Sequence, residues 1–132
     1  MKSKKIDLKK VAEELQRECP FIAFAYVGGI GENEQLIPLE NLDLAVFVEK
    51  NTGISSALQK ILPAMTNLVP DAFCEVILLN RADPVTRFRA SKNRVLFVRD
   101  GQDQARQQFN QRASLDYRIL RAQNRRRGLI VD

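Results

Sequence analysis

The stretch from Phe21 to Glu49 restricts the fold more than any other part of the chain. It holds an apolar run, a glycine turn, a polar loop and a second apolar run carrying one acid. Phe21-Ile22-Ala23-Phe24-Ala25-Tyr26-Val27 is too short and too aromatic for an amphipathic helix, and it stops at Gly28-Gly29. It predicts a buried strand. After the loop from Ile30 to Glu40, Asn41-Leu42-Asp43-Leu44-Ala45-Val46-Phe47-Val48 predicts a second strand. Side chains alternate along a strand, so Asn41, Asp43 and Ala45 share one face while Leu42, Leu44 and Val46 share the other. Asp43 then stands near the start of an otherwise apolar strand. A carboxylate there is costly unless it lies at an open sheet end, is paired, or holds a cation. Glu40 falls on the face opposite Asp43 and is discounted as its companion.

Helices and further strands fill in around this unit. Leu8, Val11, Ala12 and Leu15 recur at helical spacing between Ile6 and Glu18, and Pro20 ends that helix. Asn51-Thr52-Gly53 is a turn, after which Ser55 or Ser56 caps a helix presenting Leu58, Ile61, Leu62 and Met65. Pro63 within it predicts a kink or an early end. Phe73 to Leu79 reads as a third strand with Glu75 as its only charge. Asp83-Pro84 opens a short helix that runs to about Ser91. Arg94 to Arg99 is a fourth strand and Asp100-Gly101 a turn. A long helix from about Asp103 to Arg127 carries Ala105, Phe109, Ala113, Tyr117 and Leu120 as a narrow stripe, and Gly128 follows its last cations. The order predicts one α/β domain over residues 1–132, a mixed sheet of about four strands flanked by helices.

Composition excludes several chemistries. The 132 residues contain no histidine, which removes Ser-His-Asp and Cys-His catalysis, His-ligated zinc and imidazole acid–base work. Cys19 and Cys74 are too few and too far apart for a disulfide framework or a zinc site, and Cys74 reads as a buried, inert thiol. No apolar stretch is long enough for a membrane span, so a cytoplasmic protein is expected. What remains is chemistry by carboxylate, lysine, arginine or backbone, and phosphoryl transfer manages with carboxylates and metal. Charge is divided along the chain: residues 1–86 hold nine Lys/Arg against twelve acids, and residues 87–132 twelve against four. A basic helical end is a nucleic-acid signal, but no aromatics interleave with the arginines for base stacking, so a solvated arginine-rich helix, or one meeting an acidic partner protein, is the better expectation.

The phrase Gly28-Gly29, loop, Asn41-x-Asp43 resembles the signature of the minimal nucleotidyltransferases, relatives of the DNA polymerase beta palm. That family places a Gly-Ser turn after its first strand and Asp-x-Asp at the head of the next. Its acids hold two magnesium ions on a nucleoside triphosphate whose phosphates the turn cradles. A third acid lies in a later strand followed by a leucine-asparagine pair, which Leu79-Asn80 supplies here, letting Glu75 match that position. The resemblance covers roughly residues 20–100. It implies Gly28, Gly29 and Asn41 as nucleotide-binding positions and Asp43 and Glu75 as metal-binding ones, facing each other across neighbouring strands.

Where the family has serine and its first aspartate, this chain has Gly29 and Asn41. Asparagine removes a full charge from a magnesium site, and losing a catalytic contact of this kind commonly costs on the order of a hundredfold. The resemblance therefore implies a nucleotidyltransferase-type protein in which Asp43 and Glu75 are vestiges of the catalytic set, acting through a partner. Small members of the family serve as antitoxins to helical HEPN toxins, and active ones adenylylate the toxin on tyrosine. The alternative is a working magnesium-dependent enzyme moving a nucleoside monophosphate onto a protein or small molecule. Magnesium is expected only with bound nucleotide, and Gly29→Ser with Asn41→Asp is expected to strengthen nucleotide binding. The apolar tail Leu129-Ile130-Val131 suggests an interface, with a homodimer as default and a HEPN-type protein as the specific alternative.

Overall fold

The structure is a computed structural model that describes residues 5–36 and 41–128. Within them the order is α1 (Leu8–Glu18), β1 (Ile22–Gly28), β2 (Leu42–Val48), α2 (Ile54–Leu68), β3 (Cys74–Leu78), α3 (Pro84–Ser91), β4 (Arg94–Val98) and α4 (Asp103–Arg126), with a short 3₁₀ turn at Glu32–Glu34. The strands form one sheet in the order β3-β2-β1-β4. β1 runs antiparallel to both β2 and β4, whereas β2 and β3 are parallel. The expected α/β architecture with a mixed four-stranded sheet and a long last helix is present.

β1 lacks alternation because both of its faces are covered, and Ile22 to Val27 are all buried. On one face Ala25, Val27, Leu42, Leu44 and Val46 pack against Leu8, Val11 and Leu15 of α1 and Ala57, Ile61 and Met65 of α2. Burying each large aliphatic side chain there stabilises by about 1.5–3 kcal/mol. On the other face Phe24, Tyr26 and Ala45 meet Ala90 of α3 and Phe109 and Ala113 of α4. Phe24 stacks on Phe47 at 4.9 Å and tilts toward Phe109 at 5.6 Å.

Three polar side chains lock the layers together. Arg99 donates from Nε to the Ile22 carbonyl at 2.8 Å and from Nη2 to the carbonyls of Gln16 and Cys19, each at 3.2 Å. It thereby satisfies the end of α1 and the entry to β1. Asn80 accepts from Val48 N–H and donates to the Val48 carbonyl, both at 2.9 Å, closing the far end of β2. Arg87 of α3 donates to the carbonyls of Leu79 and Asn80 at 2.9 and 2.8 Å, which seats α3 on the sheet.

Several local expectations about the helices are corrected. α2 begins at Ile54 with Gly53 as its cap, Ala57 N–H reaching the Gly53 carbonyl at 2.9 Å, so Ser55 and Ser56 lie inside the first turn. It also runs on through Pro63 to Leu68. Proline removes the N–H that would bond Gln59, but both residues are exposed and water can serve that carbonyl. The buried side of α2 is Ala57, Ile61, Ala64 and Met65, while Leu62 is left exposed. Of the α4 stripe, Phe109 and Ala113 are buried, and Tyr117 instead stacks on Phe88 of α3 at 4.1 Å. Glu40 and the tail from Leu129 lie outside the described residues.

Candidate functional site

β2 and β3 start side by side, and their parallel register pairs Asp43 with Glu75. Neighbouring strands lie about 4.8 Å apart, and paired residues in a ladder point to the same face. Asp43 and Glu75 therefore share one face of the sheet, as expected. That face is the one under α3. Asp43, Ala45, Glu75 and Ile77 form the floor of an open cleft of about 270 Å³, and Thr86, Arg89, Ala90 and Asn93 form its wall. Asp43 is half-buried and Glu75 exposed, so the carboxylates sit where the sheet opens to water.

The glycine turn borders the same place. Gly28 is the register partner of Asp43 across β1 and β2. Asn93 lies directly above it, so that a Cβ on Gly28 would come within 2.6 Å of the Asn93 Nδ2. Gly29 has φ +80°, and a Cβ there would come within 2.0 Å of the Asn41 carbonyl oxygen. The turn is thus folded onto the entry of β2. Glycine at 29 is a backbone requirement, so the serine of the Gly-Ser pattern has no room on this backbone. Asn41 is exposed at the mouth of β2.

Cys74, next to Glu75 and paired with Leu42, turns to the α1/α2 face of the sheet and is half-buried. Burial pushes its thiol up to about 11, and the negative charges of Asp43 and Glu75 add to that. It is an inert thiol, and its neighbourhood is that of two nearby acids. Glu34 turns to Arg94 of β4 at 3.2 Å, near the α1 side of the sheet, and does not line the cleft.

Sequence reasoning found the floor and missed the wall. Thr86, Arg89 and Asn93 carry no motif; only the placement of α3 by Arg87 brings them to the carboxylates. The Leu79-Asn80 pair, read as a family mark, proves to be the bond that ends β2. Two carboxylates suit a hard cation such as magnesium, which takes one or two protein carboxylates and completes its shell with water or phosphate. Among the described residues no group of three such ligands converges.

No protein-family model matches the chain, and no curated protein matches it by sequence. Solved structures do match it by shape. A toxin–antitoxin structure with AMP-PNP aligns with TM-score 0.69 at 17% identity, covering 91% of this chain and 94% of the other. The tri-AMPylated Shewanella oneidensis HEPN toxin in complex with its MNT antitoxin aligns with TM-score 0.65 at 17% identity over 89% of each chain. The chain has the minimal nucleotidyltransferase fold. A further MNT-fold match, the toxin–antitoxin MntA–HepT, has TM-score 0.65 at 17% identity and covers 89% of this chain and 90% of the other. Among the described residues no helix is long and apolar enough to cross a membrane.

Proposed function

We propose that this MNT-fold chain is an antitoxin-type protein that binds a helical HEPN-type protein and holds a magnesium nucleotide weakly without transferring its nucleotidyl group. The observation that carries the reading is the make-up of the strand mouth. Asp43 and Glu75 form one carboxylate pair, while the adjoining ligand position is the amide of Asn41. An amide oxygen binds magnesium far less strongly than a carboxylate, so the site supports one cation where two-metal transfer needs two. Gly29 still offers a backbone N–H to a phosphate, and Arg89 in the cleft wall offers a cation. The matched structures pair an MNT antitoxin with a HEPN toxin, which supports the partner class.

The test is incubation with magnesium, labelled nucleoside triphosphates and a co-expressed HEPN-type protein. Complex formation with little or no label on either protein is expected. Robust labelling of an acceptor, abolished by Asp43→Ala, makes the chain a working nucleotidyltransferase and overturns the non-catalytic part of the proposal. Failure to capture any HEPN-type protein overturns the antitoxin part.

A further inference from the structure

Phe73 stands out immediately before β3, two residues from Glu75 of the cleft floor. It is 76% exposed, the largest exposure among the exposed large hydrophobics of the described residues. Its place is fixed by the chain on either side. Leu42 N–H bonds to the Phe73 carbonyl at 2.9 Å, one of the bonds that make the parallel Leu42–Cys74 pair, so the backbone of Phe73 is held against the start of β2. Ala72, Cys74, Val76 and Leu78 pack against the α1/α2 core. Alternation therefore sends Phe73 to the other face, in line with Glu75 and beside Asn41. One two-residue step along a strand, about 6.8 Å, separates an aromatic ring from the carboxylate pair. No part of the α1/α2 or α3/α4 cores uses that ring.

We infer that Phe73 is the stacking platform for the base of a nucleotide whose phosphates lie over Asp43 and Glu75. The inference rests on the nucleotide binding proposed above and adds the part of the ligand that the carboxylates cannot recognise. Two occupants fit an aromatic ring beside acids: an organic cation, or a base whose phosphates are bridged to the acids by metal. Arg89 in the cleft wall decides between them, because it repels a cation and attracts a phosphate. Every base has a π-face, so the platform serves purines best by area and demands no particular hydrogen-bond pattern. The adjoining amide of Asn41 supplies a donor and an acceptor at the base's edge.

The chain has no tryptophan, so Phe73→Trp creates a single fluorescent reporter at this position. Because residue 73 is exposed, neither Phe73→Trp nor Phe73→Ala disturbs the core. With magnesium present, ATP is expected to quench the Phe73→Trp emission, and inorganic triphosphate is not. By equilibrium dialysis, Phe73→Ala weakens ATP binding roughly five- to a hundredfold and leaves inorganic triphosphate binding unchanged. If inorganic triphosphate binds the parent protein but Phe73→Ala holds ATP as tightly as the parent does, the stacking role is wrong and the phosphate site stands. If bound ATP leaves the Phe73→Trp emission unchanged, the stacking role is likewise wrong. If the parent binds neither compound, the nucleotide site proposed above is wrong, and the platform with it.

Discussion

Restoring the family's serine is the most direct way to test how the glycine turn shapes the site. Gly29→Ser introduces a Cβ that would come within 2.0 Å of the Asn41 carbonyl oxygen, at a backbone φ of +80°. The left-handed backbone alone costs a non-glycine residue about 1–2 kcal/mol. The collision adds the cost of moving backbone away from backbone, of the size of overpacking, about 1–3 kcal/mol. The loss is thus about 2–5 kcal/mol, a large share of the ~5–15 kcal/mol of a small domain. Gly101 supplies the control, because its φ is +82° with nothing within 4 Å of its Cβ position. Gly101→Ala bears only the first cost. Urea unfolding of parent, Gly29→Ala, Gly29→Ser and Gly101→Ala separates the two, the difference between the alanine variants being the collision. Equal losses for Gly29→Ala and Gly101→Ala would show that the turn has slack against β2. Tighter magnesium-nucleotide binding by Gly29→Ser/Asn41→Asp at unchanged stability would refute the reasoning outright and revive the original expectation of a simply restorable site.

Asp83 caps α3, its carboxylate accepting from Thr86 N–H at 2.8 Å, and that bond holds its carboxyl below the ordinary range. Asp83→Ala should cost about 0.5–2 kcal/mol; because the folded pKa is depressed, the gap is full above the unfolded value of about 3.9 and closes as pH falls through the folded one, as acid-to-neutral melting curves will show. Arg99→Lys should destabilise nearly as much as Arg99→Ala, by about 2–4 kcal/mol, since one ammonium cannot reproduce a planar fork serving three carbonyls; a fully stable lysine variant in urea unfolding contradicts that account. Asn80→Ala should cost about 1–3 kcal/mol by orphaning both polar groups of Val48, with faster amide exchange at Val48 as its local signature.

The parts of this chain that could be read from sequence are those where one residue type permits one local state. The apolar run ending at Gly28-Gly29 gave β1, Asp83-Pro84 gave the start of α3, and the resemblance to the nucleotidyltransferase phrase implied the pairing of Asp43 with Glu75 that the strand register shows. The cleft wall escaped because it depends on how α3 lies across the sheet. That is set by Arg87 reaching two carbonyls at the end of β3, a tertiary contact with no local pattern. α2 does not end at Pro63 for a related reason: Pro63 and Gln59 are both exposed, so water can serve the carbonyl that loses its N–H partner, and exposure is a property of the folded chain. Gly29 looked like a lost hydroxyl in the sequence. In three dimensions it is a left-handed turn where any Cβ would collide with the Asn41 carbonyl oxygen unless the backbone shifted.

The sheet separates two cores, and the carboxylate cleft belongs only to the smaller. Most of the large aliphatic burial lies with α1 and α2, behind the sheet, where Asp43, Glu75, Phe73 and Asn41 do not reach. The exposed residues Asn41, Phe73 and Glu75 on the cleft side therefore carry little of the chain's folding free energy. A lineage of such proteins can exchange these exposed residues and still fold. Persistence of the shape at 17% identity with the matched antitoxin structures is what that separation allows. Selection on folding alone would preserve the rear core and leave the cleft face free to drift.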